Sequence, residues 1–366
     1  MSKLFVQKEK TAMSKKGFWR ITFDTNPNDC NLHCIMCEHH SRYSTIEQKR
    51  INAGKSKQRM NITLIESIIK ASQNTALEEI IPSTMGEPLL YKDFDSIINL
   101  CKQFKIKLNL TTNGTFPVKG AKEWADLIVP IASDIKISWN GATPHTQEKI
   151  MQNSSFKAGF NNIKILISTR NRYKKLNNIT PTITLQLTFM ESNIDELADI
   201  IKMGIELGVD RIKGHHLWTH FSEINPQSMR RDIRAIAKWN SVIKQIKAIA
   251  ETHLLPNGKA IRLDNFDELG LKATTNLMSN GVCPFLGREA WIAPDGHFSP
   301  CCAPDIQRRE LGDFGNVNEH SLMEIWESSE YQDLCQNYMD YDICVKCNMR
   351  RPLKSCYASD NQGVNR

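Results

Sequence analysis

No stretch of this 366-residue chain approaches the roughly 20 consecutive apolar residues that cross a bilayer. A membrane partner is therefore not expected. The opening Met-Ser-Lys-Leu-Phe-Val is too short in apolar content for a secretory signal, so the cytoplasm is the expected compartment. Nor is charge concentrated, although the net charge is +7. Lys8, Lys10, Lys15 and Lys16 precede the first strand. Arg230, Arg231, Arg234, Lys238, Lys244 and Lys247 decorate one long helix, whose apolar stripe is Ile233, Ile236, Trp239, Ile243 and Ile246. Charges so placed form a solvated face, and nucleic acid is not an expected partner. The eleven cysteines do not read as a disulfide framework, which belongs to small, loop-rich secreted chains. In a reducing compartment clustered thiols bind metal. Cys101 stands apart, because Phe94, Ile97, Ile98 and Cys101 share helical spacing and form one buried face.

The most informative motif lacks a fourth thiol. In Cys30-Asn-Leu-His-Cys34-Ile-Met-Cys37, three cysteines follow a strand-like segment. Iron-sulfur cubanes normally take four cysteine thiolates, so three leave one iron open to another ligand. A structural zinc site would be closed. His33, His39 and His40 flank the thiols and read as loop residues rather than ligands, since histidine ligation of such clusters takes a His pair with a Cys pair.

Around this motif the chain alternates strand and helix signals. Strands are expected at Phe18 to Asp24, Glu79 to Ser83, Lys107 to Thr111, Asp134 to Ser138, Thr182 to Phe189 and Arg211 to His215. Helices are expected to start at Thr63-x-x-Glu66 and Asn193-x-x-Glu196, both of capping-box form. Six β/α units suit a partial (β/α)6 barrel, an α/β fold whose chemistry lies at the C-terminal strand ends, where Cys30 falls. The expected organisation is a basic tail over 1–17, the barrel over 18–225, a helical linker over 226–280 and a small cysteine-rich domain over 281–366. Tyr43 to Met60, rich in Lys, Arg, Ser and Gln, reads as an exposed insertion.

The Cys30, Cys34, Cys37 spacing resembles that of the radical S-adenosylmethionine (radical SAM) superfamily. There the cofactor fills the open iron position of a 4Fe-4S cluster. The resemblance continues in order along the barrel. Met85-Gly86-Glu87-Pro88 looks like the family's Gly-Gly-Glu motif, with Met85 in place of the first glycine, and implies that Gly86 and Glu87 orient the cofactor's amino group. Thr111-Thr112-Asn113-Gly114 and Ser138-Trp139-Asn140-Gly141 resemble further family elements. They imply cofactor contacts from Thr112, Asn113, Ser138 and Asn140, the last often Asp in relatives. Met36 stands where an aromatic residue commonly packs on adenine, an apolar role methionine fills. His215 and His216 end the sixth strand as acid/base candidates for a substrate pocket.

Seven of the eleven cysteines follow residue 281. Trp291 to Ser299 carries an Asp-Gly hairpin turn, and Ser321-x-x-Glu324 opens a short helix. Cys283, Cys301, Cys344 and Cys347 resemble the ligand set of the C-terminal SPASM extension, or of its shorter twitch form. The resemblance implies one auxiliary 4Fe-4S cluster, with zinc as the competing metal for two thiolate pairs. Cys302, Cys335 and Cys356 are left to an irregular second site, to hydrogen-atom donation or to burial. Relatives with this extension commonly abstract a hydrogen from carbon in a peptide or protein, giving dehydrogenation, cross-linking or epimerisation. The single-cluster spacing also resembles twitch enzymes that oxidise a polar small molecule such as an aminocyclitol or sugar, and no leader-binding N-terminal module is visible. Either chemistry implies a reductase, flavodoxin or ferredoxin as electron donor. A non-catalytic, metal-stabilised binding protein is the alternative of another class.

Overall fold

The long strands alternate polar and apolar residues, and that alternation divides the sheet into a helix-covered face and a polar lumen. The computed structural model describes residues 16–83, 85–270, 281–303, 305–347 and 349–350. Its strands are β1 (Arg20–Phe23), β2 (His33–Cys34), β3 (Glu79–Ile81), β4 (Lys107–Thr112), β5 (Ala132–Ser138), β6 (Met151–Gln152), β7 (Thr182–Phe189), β8 (Arg211–His216), β9 (Arg262–Asp264), β10 (Glu289–Ile292) and β11 (Phe298–Ser299). Nine form one sheet in the order β11-β10-β1-β3-β4-β5-β7-β8-β9, while β2 and β6 pair separately. The sheet is parallel except for the β10–β11 hairpin.

The six expected strands are β1, β3, β4, β5, β7 and β8, with helices between them. The sheet nevertheless runs past the expected six-unit array at both edges. Residues 226–280 supply β9 as well as the helix Ile233–Thr252, and β10 of the cysteine-rich region pairs in parallel with β1, from Arg20↔Glu289 to Phe23↔Ile292. The barrel and the C-terminal region therefore share one hydrogen-bonded sheet.

Ile21, Phe23, Ile80, Leu110, Ile137, Leu185, Leu187 and Ile212 form the apolar face and are completely buried with helix residues such as Ile65, Ile69 and Ile97. Each such side chain contributes about 1.5–3 kcal/mol by leaving water. The opposite face holds ion pairs between neighbouring strands and, from Arg211 on β8 to Asp134 on β5, across the intervening β7. Arg20 pairs with Glu79 at 2.8 Å and with Glu289, and Asn109 donates to Glu79 at 2.8 Å. Arg211 pairs with Asp134 and, at 3.3 Å, with Asp264, while Thr184 donates to Asp134 at 2.8 Å. Breaking such a pair strands a buried charge at a cost of about 3–5 kcal/mol, so the lumen penalises any slip of strand register.

Three local expectations are corrected. The helix Ile62–Ala71 is capped by Asn61, whose side chain accepts from Thr63, so Thr63 is not its cap. The Asn193/Glu196 pair is not a capping box. Asn193 bonds Met190, Asn140 and Thr188, and Glu196 accepts from the turn Ala142, Thr143 and Thr146, so the two residues knit the β5 and β7 loops together. Ile233, expected in the apolar stripe, is 60% exposed, because it occupies the first turn before the helix meets the core. The Ser321/Glu324 capping box and the turn of the β10–β11 hairpin are present as expected, and Cys101 is buried. Among the described residues no helix is long and apolar enough to cross a membrane.

Candidate active site and auxiliary thiol site

The cysteine loop is held from three sides. After β1, the Asp29 carbonyl accepts from the Glu87 N–H at 2.8 Å, and the Asn26 amide donates to the Glu87 carbonyl at 2.9 Å. Gly86 lies so close to this loop that a Cβ there would stand 2.0 Å from the Asn26 carbonyl oxygen. Only glycine fits. On the second side, the expected exposed insertion acts as a brace, with Lys57 and Arg59 reaching the Asp29 carboxylate at 3.1 and 2.6 Å. On the third, β2 pairs with β6, and Ile35 donates to the Ile150 carbonyl at 3.0 Å. His33 and His40 brace the loop through the carbonyls of His40 and Pro27.

These supports bring Cys30, Cys34 and Cys37 within mutual electrostatic reach. Burial pushes Cys30 up to about 11 and raises Cys34 and Cys37 as well. Thiolates persist in such a place only beside compensating positive charge, which bound iron supplies. The Cys37 sulfur also accepts from the His40 N–H at 3.3 Å, and the Asn113 amide points at the Cys30 sulfur at 3.8 Å.

The residues expected to touch a cofactor divide into two groups. Met36 packs in an apolar cluster with Leu32, Ile150, Met151, Met190 and Leu217 beside Cys30 and Cys34. Gly86, Asn113 and Ser138, the last at the lumen-facing end of β5, border the same side. Glu87, Thr112 and Asn140 are instead occupied with the protein itself. The Glu87 carboxylate is buried and accepts from Thr112 Oγ1 at 2.8 Å, Asn113 N–H at 2.7 Å and Leu89 N–H at 3.2 Å, and burial lifts it to about 7. A carboxylate has about four acceptor positions, so one more donor completes it. Asn140 ties β5 to β7, since its side-chain oxygen accepts from the Thr188 N–H at 2.8 Å. That bond engages the side-chain oxygen of Asn140 within the protein.

Strand alternation separates the two expected histidines. His215 faces the lumen beside Thr188, its Nε2 3.3 Å from Thr188 Oγ1. His216 turns the other way, into the aromatic core against Phe189 and Trp239 with ring centroids at 5.4 and 4.6 Å, so its expected place in a substrate pocket is corrected. Burial, aided by Lys213, lowers His215 from the ordinary 6.5 to about 4. It is therefore neutral near pH 7 and a weaker base than an ordinary histidine. A depressed histidine contributes stability that is full above about pH 6.5 and lost as pH falls toward about 4. His215→Gln is expected to remove this contribution, shrinking the stability lost between about pH 7 and pH 5 by about 1–2 kcal/mol. Chemical denaturation of both proteins at the two pH values checks it, and equal losses would refute it.

The second site is a cavity lined by Cys283, Cys301, Cys344 and Cys347, the four expected ligands, together with Cys302. Its other walls include Trp218, just beyond β8, and Arg350. Trp218 follows β8, Cys283 precedes β10 and Cys301 follows β11, so the cavity takes its walls from segments beside strands at both ends of the sheet. Burial pushes Cys283 up to about 11 and Cys301 and Cys344 up to about 12. Among the described residues no three Cys, His, Asp or Glu converge tightly enough for a single ion. Thiols spread around a cavity suit a polynuclear cluster better than one zinc with its ligands at about 2.3 Å. Cys335 is outside this lining, beside Tyr331 and Gly287, and Cys356 lies outside the described residues. Sequence reasoning missed Trp218 and Arg350 and left Cys302 unassigned, because lone residues carry no spacing signal, and its placing of Arg230 on the solvated face of the long helix is corrected, since that helix begins only at Ile233 and the Arg230 Nε is buried.

Two family models match separate parts of the chain. A family model described as the radical SAM superfamily matches residues 27–203, and one described as an iron-sulfur cluster-binding domain, SPASM, matches residues 283–348. A protein of Pyrococcus furiosus named tungsten-containing aldehyde ferredoxin oxidoreductase cofactor-modifying protein is 24% identical over 338 residues, covering 88% of this chain and 85% of that one. Among solved structures, Streptococcus suis SuiB bound to S-adenosylmethionine superposes with a TM-score of 0.63 at 13% identity, over 91% of this chain and 72% of its own. Native anSMEcpe with bound AdoMet gives 0.62 at 16%, over 90% and 88%. With an iron-sulfur loop at the strand ends of a partial barrel and a thiol cavity at its open side, this chain belongs to the radical SAM superfamily, an enzyme of S-adenosylmethionine and 4Fe-4S chemistry with a C-terminal SPASM iron-sulfur domain.

Proposed function

We propose that the enzyme abstracts a carbon-bound hydrogen atom from a peptide or protein segment and completes an oxidation of it. Bound at Cys30, Cys34 and Cys37, the cluster and S-adenosylmethionine supply a 5′-deoxyadenosyl radical once an external donor provides an electron. The chain's own residues fix the geometry. Gly86 and Glu87 seat the cysteine loop and the cofactor's amino group, Asn113 and Ser138 border it, and Met36 offers an apolar surface to adenine. Cys283, Cys301, Cys344 and Cys347 would hold the auxiliary cluster, and His215 faces the lumen beside Thr188.

One observation carries the peptide reading. A groove lined by Glu38, Tyr43, Lys49, Trp218, Phe221 and Ile343 shares Tyr43 and Phe221 with the apolar cluster beside Cys30 and Cys34, and Trp218 and Ile343 with the thiol cavity. Glu38 follows Cys37, Ile343 precedes Cys344, and Trp218 also walls the thiol cavity. An extended substrate lying there passes both sites, and carboxylate and ammonium groups along the walls match a backbone with mixed side chains. The SuiB structure bound to its precursor peptide SuiA, a fold relative, supports this reading. The name of the Pyrococcus relative favours a second one, a small cofactor or its precursor. The two separate in a single assay of 5′-deoxyadenosine formation by the reconstituted enzyme, stimulated by fractions of a cell extract. A peptide substrate makes the stimulation sensitive to prior protease digestion. Stimulation that survives digestion would overturn the peptide reading in favour of the small molecule.

A further inference from the structure

We propose that Arg230 and Arg350 are the countercharge of the auxiliary cluster and hold its reduction potential up. The inference rests on the reading that the C-terminal thiols bind that cluster.

Most buried arginines of this protein have carboxylates. Arg20 has Glu79 and Glu289, Arg211 has Asp134 and Asp264, and Arg170 has Asp210. Arg350 and Arg230 have none among the described residues. Arg350 is 7% exposed and lines the thiol cavity, and its guanidinium is held by neutral groups, the carbonyls of Gly281 at 3.3 Å and Val345 at 3.0 Å and the Met339 sulfur at 3.3 Å. Its Nε has no hydrogen-bond partner. Arg230, just before the helix Ile233–Thr252, is half-buried, and its Nε, itself buried, is likewise without a hydrogen-bond partner among the described residues. The Cys347 sulfur lies within electrostatic reach of both guanidiniums.

A buried cation without an anion is strongly unfavourable, so the balancing charge must come from what the thiols hold. A cubane ligated by four thiolates is a dianion when oxidised and gains one more negative charge on reduction. Two guanidiniums match the dianion, and they favour the added electron through the same attraction, since local charge is one determinant of cluster potential. In this arrangement the auxiliary cluster is biased to accept an electron from the lumen.

The test uses the full chain with Cys30, Cys34 and Cys37 replaced by alanine, so that the reconstituted auxiliary cluster is observed alone by electron paramagnetic resonance during a redox titration. Arg350→Gln and Arg230→Gln are each expected to lower the ratio of reduced to oxidised cluster at fixed potential at least tenfold, about 59 mV for one electron, with iron content unchanged. Arg350→Lys and Arg230→Lys, which keep the charge, are expected to stay near the parent value. Parental potentials in both Gln variants at full iron content would overturn the proposal. If a Gln variant loses its iron, its Lys counterpart decides: parental iron and potential support the countercharge role, and iron loss there too assigns the arginine to packing and overturns it. Absence of iron in the parent would instead refute the ligand assignment itself, and this proposal with it.

Discussion

Replacing Cys30, Cys34 and Cys37 together with alanine is expected to abolish 5′-deoxyadenosine formation and to remove about four irons per chain while about four remain. The loss should be complete rather than partial, because the three thiols are the proposed protein anchors of the cluster. Three flanking groups are already engaged: His33 and His40 bond backbone carbonyls, and Asp29 is held by Lys57 and Arg59. The remaining iron should belong to the C-terminal thiols, whose cavity is walled by Trp218, beyond β8, and by residues on either side of the β10–β11 hairpin. Iron and sulfide analysis of anaerobically reconstituted protein, with product measured after reduction, checks both halves. Cleavage persisting in the triple variant, or retention of all the iron, would refute the assignment. Zinc in place of iron would refute it more deeply.

The second large effect concerns a residue with no side chain. Gly86→Ala places a methyl group 2.0 Å from the Asn26 carbonyl oxygen and 2.9 Å from that of Asp29, and both obstacles are backbone. Relief requires separating the strand that carries the Glu87-to-Asp29 hydrogen bond from the loop that ends in Cys30. Overpacking of this kind costs about 3 kcal/mol. The expected outcome is a chain that still folds, since the core of β3 to β8 is untouched, but binds little of the first cluster. Iron should fall toward the content of the triple cysteine variant, and thermal denaturation should show a lowered midpoint. Full iron and full product in Gly86→Ala would mean that the loop yields freely, and that its glycine is not required for placing Cys30.

Much of this was legible in the sequence where the signal was local or periodic. The alternation of Ile21 and Phe23 with Arg20 and Thr22 gave the first strand and its two faces, and close thiol spacing marked both metal sites. Where a signal admitted two structures, packing decided. Asn193 and Glu196 have capping-box spacing, yet each found partners across two loops. Adjacent histidines on one strand could not both enter a pocket, because successive side chains point to opposite faces. Long-range pairing left no local trace at all. The contact of Arg20 with Glu289 joins residues 269 positions apart, and nothing near either residue announces the other. The arginines at the thiol cavity were hidden for a related reason, since as sequence Arg230 merges with a basic run.

The parallel pairing of β10 with β1 sets a condition on how the molecule comes into being. During synthesis the first strand of the barrel leaves the ribosome long before its neighbour, and its outer edge has no partner until residues 289–292 arrive. Such late, non-local closure makes folding slow and leaves an unpaired edge open to other chains meanwhile. A chain cut short after β9 would keep that edge permanently. The cysteine-rich segment is thus not a removable accessory: the enzyme's oldest strand in synthesis is sheltered by one of its youngest, and the auxiliary thiols are delivered in the same event.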